Sequence, residues 1–167
     1  AAAAAEFAAL PAYTAAAWGS RWNALQAAYV DAWLAHAAQG WRYAAGETEF
    51  ARPHDVAGLG EVKLHGRVDR VDVRGDARYV IDYKTGASAG LKKKLRAPDE
   101  AVQLPFYAWL ADAAAAYLPI NEAPVAALEL DGETDVAAIS ERLPALLEAI
   151  AAGAALPAQG TDTVCAH

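Results

Sequence analysis

The sequence has few of the features that are typical of secreted proteins, of membrane proteins, or of proteins that bind nucleic acid over their whole surface. Among its 167 residues there is one cysteine, Cys165, which excludes an internal disulfide framework and is typical of a reducing compartment. The alanine run at residues 1–5 has neither the basic leader of a signal peptide nor the length of a membrane-spanning helix. Positive charge is also scarce: the formal net charge of −7 argues against a surface that grips nucleic acid everywhere, but not against a local basic groove or an acidic metal site. We therefore expect a cytoplasmic protein with no membrane partner.

Two motifs that would indicate other enzyme classes are missing from the sequence. The chain has no Gly-rich P-loop, which excludes one common type of nucleotide-binding enzyme. Lys84-Thr85-Gly86 is similar to the lysine box of penicillin-recognising enzymes, but no Ser-x-x-Lys occurs anywhere in the chain, so this class is excluded too. The 56% of hydrophobic residues is inflated by alanine. We therefore predict a single domain over residues 1–167, with Ala-rich helices around a modest sheet.

Hydrophobic periodicity predicts the order helix, three strands, helix, strand, helix. In chain order the predicted segments are a poorly defined helical stretch over 1–20, a helix from Trp22 to Gly40, a strand over 47–52, a hairpin loop over 53–60, strands over 62–73 and 79–84, a polar loop over 85–98, a helix that starts at Pro98-Asp99-Glu100 and runs towards Leu118, a strand over 125–130, a helix capped by Thr134 and ending near Ile150, and a C-terminal loop over 155–167. Because a strand reached through a crossover helix is expected to pair in parallel, we predict a mixed sheet with helices on both faces.

The second predicted strand changes phase at one point. Its apolar residues alternate as far as Val68 and resume one residue out of step at Val71, which predicts a bulge or a sharp twist at Asp69-Arg70. Bulges are over-represented beside active sites, so the phase slip singles out Asp69. Asp72 lies on the other side of the slip and is predicted to be structural, while Arg70 is either a partner for a nearby carboxylate or a DNA contact.

The third predicted strand ends in two opposite charges. In an extended strand Asp82 and Lys84 project to the same face, roughly 6–7 Å apart along the strand. Adjacent antiparallel strands can bring Asp82 close to Asp69 and to Glu47 on the first strand. Carboxylates that cluster without matching cations repel one another, so a hard cation such as Mg²⁺ is the natural neutraliser. Beside that cation, Lys84 could orient a water molecule or stabilise charge on a phosphate.

Further polar and aromatic residues could contact a nucleic acid. Gln103 and Tyr107 stand four residues apart on the predicted helix, so they share a face, and both can donate hydrogen bonds to phosphate oxygens. For the cations of the preceding loop, a solvated surface and a phosphate-contacting role are both open. These cations are Lys92, Lys93, Lys94 and Arg96. The aromatic stripe from Trp22 to Trp33 is predicted to be core packing rather than a base-stacking surface.

Three motifs follow one another in the chain. They are Gly66-Arg67-Val68-Asp69-Arg70-Val71-Asp72, Val80-Ile81-Asp82-Tyr83-Lys84-Thr85-Gly86 and Gln103-Leu104-Pro105-Phe106-Tyr107-Ala108. Together they closely resemble the PD-(D/E)XK nuclease domain of the RecB and AddB type, and the resemblance covers most of residues 40–155. It implies a restriction-endonuclease-like fold, in which a mixed β-sheet is flanked by helices in the order α-β-β-β-α-β.

The resemblance also implies roles for individual residues. Asp69 and Asp82 would be ligands of Mg²⁺ or Mn²⁺, with Glu47 as a third acidic ligand and Glu49 as its alternative on the same face. Lys84 would be the catalytic lysine. The helix pair Gln103 and Tyr107 would contact DNA. The implied function is a metal-dependent DNA nuclease, in particular an exonuclease of DNA repair or recombination that works with a helicase domain or subunit.

The sequence departs from the resembled family in two respects. Members usually carry a metal-binding histidine on an upstream helix, whereas His36 lies in the middle of the Trp33-Leu34 helix, in the wrong context. Many relatives also bind a 4Fe-4S cluster through four cysteines, of which Cys165 resembles the first of the closely spaced group. We therefore expect the chain to be a fragment of a larger protein. The alternative hypothesis is a catalytically inactive nuclease-like module that binds DNA or scaffolds a partner.

Overall fold

In the computed structural model, residues 2–97 and 101–155 are described, and they form a mixed α/β fold with a five-stranded sheet. No helix within these residues is both long enough and apolar enough to cross a membrane. The helices and strands are α1 (Ala2–Ala8), α2 (Ala12–Ala38), β1 (Arg42–Val56), β2 (Gly60–Arg74), β3 (Ala77–Lys84), α3 (Ser88–Leu95), α4 (Gln103–Ala111), β4 (Ala114–Pro119), β5 (Leu128–Glu129) and α5 (Gly132–Ala151).

The strands lie in the sheet in the same order as in the chain, from β1 to β5. The pairs β1–β2, β2–β3 and β4–β5 are antiparallel, and β3–β4 is parallel. The parallel pair is joined by the crossover through α3 and α4, as a parallel connection requires. The predicted mixed sheet is therefore confirmed.

Side chains of β3 alternate between two hydrophobic clusters, one on each face of the sheet. Val80 belongs to a cluster that α4 covers with Leu104 and Ala108, and Val136 of α5 packs against the same cluster. Tyr79 and Ile81 belong to the cluster on the opposite face, against which α2 packs. We call these the α4 face and the α2 face. The prediction of helices on both faces is confirmed.

The phase slip of β2 is present. Val68 and Val71, three residues apart, both pack in the cluster on the α4 face, which an undistorted strand would not allow. The irregularity extends to the partner strand, because the β1–β2 register shifts between Tyr43 and Ala45. Glu47 also has a φ of 51°, in the left-handed region that non-glycine residues seldom adopt.

The predicted loop over 85–98 is wrong, because it contains the helix α3. Leu91 is buried and Leu95 packs against the core of the α4 face, so this segment has an apolar side spaced as in a helix. The carboxylate of Glu122 accepts a hydrogen bond from the backbone N–H of Ser88 at the start of α3. Three consecutive lysines obscured the two leucines in the sequence.

The predicted helix towards Leu118 is also wrong in its second half. α4 ends at Ala111, and Asp112 then adopts a φ of 51°. The alanines that follow form β4, whose side chains from Ala115 onward are buried on both faces of the sheet. Alanine has high helix propensity, so only the tertiary position reveals this strand. The strand predicted over 125–130 shrinks to the two residues of β5.

The remaining differences from the predicted elements are smaller. The first hairpin turn is shorter than predicted, because β1 continues to Val56 and pairs Pro53 with Lys63. Pro53 is tolerated there since β1 is an edge strand of the sheet. The start predicted at 98–100 and the loop predicted from residue 156 onward fall outside the described residues, as does the side chain of Thr134.

The aromatic stripe of α2 packs on the sheet only in part. Ala28, Tyr29 and Ala32 pack against the cluster on the α2 face, which agrees with the prediction of core packing. Trp33, in contrast, is 44% exposed, so the prediction of core packing is wrong at this end of the stripe.

Candidate active site

The end of β3 places a carboxylate and an ammonium group together on the α4 face. Nζ of Lys84 lies 2.5 Å from Oδ2 of Asp82. Asp82 is only 3% exposed, and its Oδ2 is buried without a partner in hydrogen-bond geometry. Burial raises the pKa of Asp82, the contact with Lys84 lowers it, and the charge of Asp69 raises it again, with a net increase. The site therefore holds a carboxylate that its surroundings leave short of positive charge.

Asp69 reaches the same place from β2. The β2–β3 ladder ends at the pair Arg70 and Ile81, so the next residues, Asp69 and Asp82, face each other beyond the last pair. Instead of a backbone carbonyl, Oδ2 of Asp69 accepts the hydrogen bond of the Tyr83 backbone N–H at 2.8 Å. Asp69, Asp82 and Lys84 thus lie near one another at the end of β3.

Glu47 does not join this group. Its backbone lies across from Asp69, between the pairs Gly46–Arg70 and Thr48–Val68, but its side chain is exposed and Oε2 lies 2.9 Å from Nε of Arg67. Such an exposed ion pair is worth roughly 0–1 kcal/mol, so it is easily exchanged for other partners. Glu49, the alternative acid, is exposed and pairs across the ladder with Arg67.

The polar side of α4 adjoins the charged pair. Nζ of Lys84 donates a hydrogen bond to Oε1 of Gln103 at 3.0 Å, and Nε2 of Gln103 donates to Oη of Tyr107 at 3.3 Å. The ammonium group also lies 5.3 Å from the ring centroid of Tyr117, within cation–π distance. Gly66 allows α4 to approach β2 closely, because a Cβ there would lie 3.0 Å from the Tyr107 ring. The two residues predicted as a DNA-contacting pair therefore line up with the lysine.

The four predicted DNA-binding cations separate into different positions. Lys93 and Lys94 line a cavity of about 500 Å³ together with Lys84 and Gln103. The hydrogen bonds with Ser88 lower the pKa of Glu122 most, and the charge of Lys92 lowers it further. Arg96 is exposed at the C-terminal end of α3. The sequence does not separate these positions, because its pattern predicts a loop where the structure has α3.

Three other residues that the sequence analysis considered, Arg70, Asp72 and His36, lie on the α2 face. Arg70 is only 7% exposed and donates from Nε and Nη2 to both carboxylate oxygens of Asp72, at 2.7 and 2.9 Å. Arg70 is therefore the partner of a carboxylate and not a DNA contact. Nε2 of His36 lies 2.9 Å from Oδ2 of Asp72, so His36 is held on the face opposite to Asp82.

The donor set at the end of β3 fits a divalent cation with few protein ligands. Mg²⁺ is commonly held by one or two carboxylates, with water and substrate phosphates completing its coordination. Asp69 and Asp82 supply two carboxylates, and the buried Oδ2 of Asp82, whose neighbour of opposite charge is Lys84, accepts no hydrogen bond from the described residues and has lone pairs to offer. Over residues 2–97 and 101–155 no group of three or more His, Cys, Asp or Glu side chains is placed to hold a metal ion. Cys165, proposed for an iron–sulfur cluster, falls outside the described residues.

Comparison with known proteins agrees with this geometry. The family model of the PD-(D/E)XK nuclease superfamily matches residues 1–167, so the chain belongs to that superfamily. Its five-stranded mixed sheet flanked by helices is consistent with the restriction-endonuclease-like fold. No curated protein sequence matches the chain.

Among solved structures, the chain is similar to the protein in the crystal structure of SSO0001. The two share 26% sequence identity at a TM-score of 0.43, over 68% of this chain and 52% of that one. The chain thus spans about half the length of that protein.

Proposed function

We propose that this chain is a metal-dependent deoxyribonuclease domain. Asp69 and Asp82 hold a divalent cation, Mg²⁺ or Mn²⁺, and Lys84 is the catalytic lysine. The observation that carries the proposal is the meeting of Asp82, Lys84 and Gln103 at one strand end, with distances of 2.5 and 3.0 Å from the ammonium nitrogen. Membership of the PD-(D/E)XK nuclease superfamily supports nuclease chemistry at this position.

The protein's own residues have separate tasks in phosphodiester hydrolysis. A bound divalent cation supplies Lewis acidity and lowers the pKa of water. An ammonium group has three N–H donors: one donates to Oε1 of Gln103, and the ion pair with Asp82 occupies a second side of the group. The third donor is available to the attacking water or to a non-bridging phosphate oxygen, where it stabilises the negative charge that develops during the reaction.

The cavity lined by α3 and α4, which we call the cleft, supplies the contacts to the DNA backbone. Lys93 and Lys94 line the same cavity as Lys84 and Gln103, so they can neutralise phosphates of DNA bound there. Gln103 and Tyr107 offer further hydrogen-bond donors along α4. This local positive charge compensates for the overall negative charge of the chain.

The wider setting follows from the sequence resemblance alone. It favours an exonuclease of the RecB and AddB type in DNA repair or recombination, located in the cytoplasm and linked to a helicase domain or subunit. In the same setting Cys165 would be one of four cysteine ligands of a 4Fe-4S cluster. Glu47, released from its exposed ion pair with Arg67, would serve as a further metal ligand when DNA and metal are bound.

Cleavage of linear DNA tests the proposal. Wild-type protein should cut a fluorescent duplex or single strand in Mg²⁺ and stop in EDTA. Lys84→Ala should lower kcat by about 10²–10³-fold, the usual effect of removing one donor that stabilises a developing charge. Asp82→Ala should abolish cleavage. Lys92→Ala is the matched control, because Lys92 lies next to Glu122 and not in the cleft. Undiminished cleavage in both site variants would refute the assignment.

A salt titration of DNA binding tests the role of the cleft. Each phosphate contact contributes roughly 0.7–0.9 to the slope of log affinity against log salt concentration. Replacing Lys93 and Lys94 together by Gln should reduce that slope by about 1.5, whereas Lys92→Gln should leave it unchanged. An equal reduction for both proteins would show that binding depends on general surface charge instead.

The second candidate function is a catalytically inactive module that binds DNA. It is favoured by the absence, among the described residues, of a cluster with three possible metal ligands, and by the contact of Glu47 with Arg67. DNA binding without any cleavage in Mg²⁺ or Mn²⁺, unaffected by Asp82→Ala, would favour this module over the nuclease.

A further inference from the structure

The site segment of β3 lacks a neighbouring strand on one side. On the β4 side, pairing continues through Asp82–Tyr117 to Lys84–Pro119. On the β2 side, the ladder stops at Ile81, so Asp82, Tyr83 and Lys84 have no paired strand there. A strand held from one side only can twist about its axis, and such a twist would turn the Asp82 and Lys84 side chains away from Asp69.

Tyr83 holds this unpaired side of β3 through hydrogen bonds of its backbone and of its side chain. Its backbone N–H donates to Oδ2 of Asp69 at 2.8 Å on the α4 face. Its side chain points to the α2 face, where Oη accepts a hydrogen bond from Nη1 of Arg70 at 3.3 Å and lies 3.1 Å from Oη of Tyr29. Burial, followed by the hydrogen bond with Tyr29, raises the pKa of Tyr83 to about 12, so the phenol is neutral at ordinary pH.

Arg70 is itself fixed and cannot follow a moving tyrosine. Two of its donors bind both oxygens of Asp72, which is completely buried, and a bidentate pair of this kind has a strongly preferred geometry. On the other side of Asp72, the ring of His36 lies between α2 and the sheet and stacks on Trp41 at a centroid distance of 5.7 Å. The anchor for Tyr83 is therefore a rigid part of the α2 face.

We infer that Arg70 and Tyr83 are positioning residues for the proposed metal site. Through their hydrogen bond on the α2 face they fix the end of β3, so that the Tyr83 N–H holds the Asp69 carboxylate and Asp82 and Lys84 face the cleft. Neither side chain touches substrate or metal. The inference rests on the proposed function for its consequence in catalysis, but the bond from Tyr83 to Asp69 can be measured without metal or DNA.

The test uses Tyr83→Phe, which removes the hydroxyl and keeps the ring. The matched control is Tyr79→Phe, an identical change four residues earlier on the same face of β3, where the hydroxyl donates a hydrogen bond to Glu129 at 2.5 Å. In metal-free protein, amide hydrogen exchange at position 83, followed by NMR, should be about 10-fold faster in Tyr83→Phe and unchanged in Tyr79→Phe, because the backbone bond to Asp69 opens more often.

Metal binding and kinetics complete the test. Loss of an outer partner of a metal ligand typically costs 10–100-fold in metal affinity or activity, and we expect about 10-fold weaker Mn²⁺ binding by calorimetry for Tyr83→Phe. The kcat for DNA cleavage should fall about equally, with KM for DNA unchanged. Tyr79→Phe should keep the wild-type Mn²⁺ affinity and kcat, even if its thermal stability falls as much as that of Tyr83→Phe.

The possible outcomes separate this inference from the proposed function. Wild-type protein that binds Mn²⁺ but cuts no DNA would refute the nuclease and leave Mn²⁺ affinity and amide exchange to decide on positioning. Equal amide exchange and equal Mn²⁺ affinity in wild type and Tyr83→Phe would overturn the positioning role. Equal losses in Tyr83→Phe and Tyr79→Phe would also overturn it, because they would indicate a general loosening of the strand. Wild-type protein without a Mn²⁺ site that depends on Asp82 would overturn both ideas.

Discussion

Replacing Asp82 by asparagine should stabilise the metal-free protein while abolishing its proposed activity. Asp82 is 3% exposed, its Oδ2 is without a hydrogen-bond partner, and burial raises its pKa despite the contact with Lys84. A raised pKa means that folding disfavours the charged form at neutral pH. Asparagine has nearly the same shape and no charge, so the substitution removes that cost.

The expected gain is modest but measurable. Substitutions that relieve an unfavourable functional group commonly add about 0.5–2 kcal/mol to the free energy of unfolding. For a chain of this size, 1 kcal/mol changes Tm by roughly 2–4 °C, so the Tm of Asp82→Asn in EDTA should lie a few degrees above wild type. The lost attraction to Lys84 works in the other direction, but the net increase of the pKa shows that burial outweighs it.

In Mg²⁺ the wild-type protein should become more stable than Asp82→Asn. A ligand present at 100 times its Kd stabilises the folded state by about 2.7 kcal/mol, a gain that requires the Asp82 carboxylate. Thermal unfolding followed by circular dichroism, in EDTA and in saturating Mg²⁺, measures both effects. Asp76→Asn, at an exposed turn, is the control and should match wild type in both buffers. A lower Tm for Asp82→Asn than for wild type in EDTA would refute this reasoning.

In EDTA, the Tm values of Asp82→Asn and wild type should converge at low pH. Because the folded-state pKa of Asp82 lies above its unfolded value, the favourable state, with Asp82 protonated, is fully present below the unfolded pKa and lost as the pH rises through the folded pKa. The Tm difference between Asp82→Asn and wild type in EDTA should therefore shrink as the pH falls through the raised folded-state pKa of Asp82, and should be smallest below the unfolded value of about 4. A difference that grows on acidification would contradict the direction of the pKa shift.

Two further predictions concern stability. Asp72→Asn should lower the free energy of unfolding by about 3–5 kcal/mol in urea denaturation, because the buried Arg70 loses its charged partner; a loss below 1 kcal/mol would contradict the importance of this pair. Gly66→Ala should cost about 1–3 kcal/mol, because the added methyl group presses on a ring of α4 at 3.0 Å, whereas Gly90→Ala, with open space around it, should not destabilise; equal effects would contradict the close approach of α4 and β2.

Much of the candidate site could be predicted because its geometry is local. The alternation of side chains along a strand puts Asp82 and Lys84 on one face, and the helical repeat puts Gln103 and Tyr107 on one face, whatever surrounds them. The phase slip at Asp69 was likewise visible in the apolar pattern and is present in β2.

Other features were hidden because they depend on distant partners. Which lysines of α3 face the cavity depends on Leu91, which packs into the core and fixes the rotation of that helix. The alanines of β4 form a strand because β3 offers them a parallel edge, which overrides their helix propensity. Nothing in the sequence near His36 indicates that it lies beside Asp72, 36 residues away in the chain.

The sequence by itself therefore determined which chemical groups this protein has and which of them are neighbours along one strand or helix. The tertiary structure alone decided that Asp69 receives the Tyr83 N–H, that Glu47 pairs with Arg67, and that Arg70 is buried with Asp72. The physical reason is that strand and helix repeats are set by backbone geometry, whereas contacts across the sheet depend on register, a bulge and the packing of the whole core.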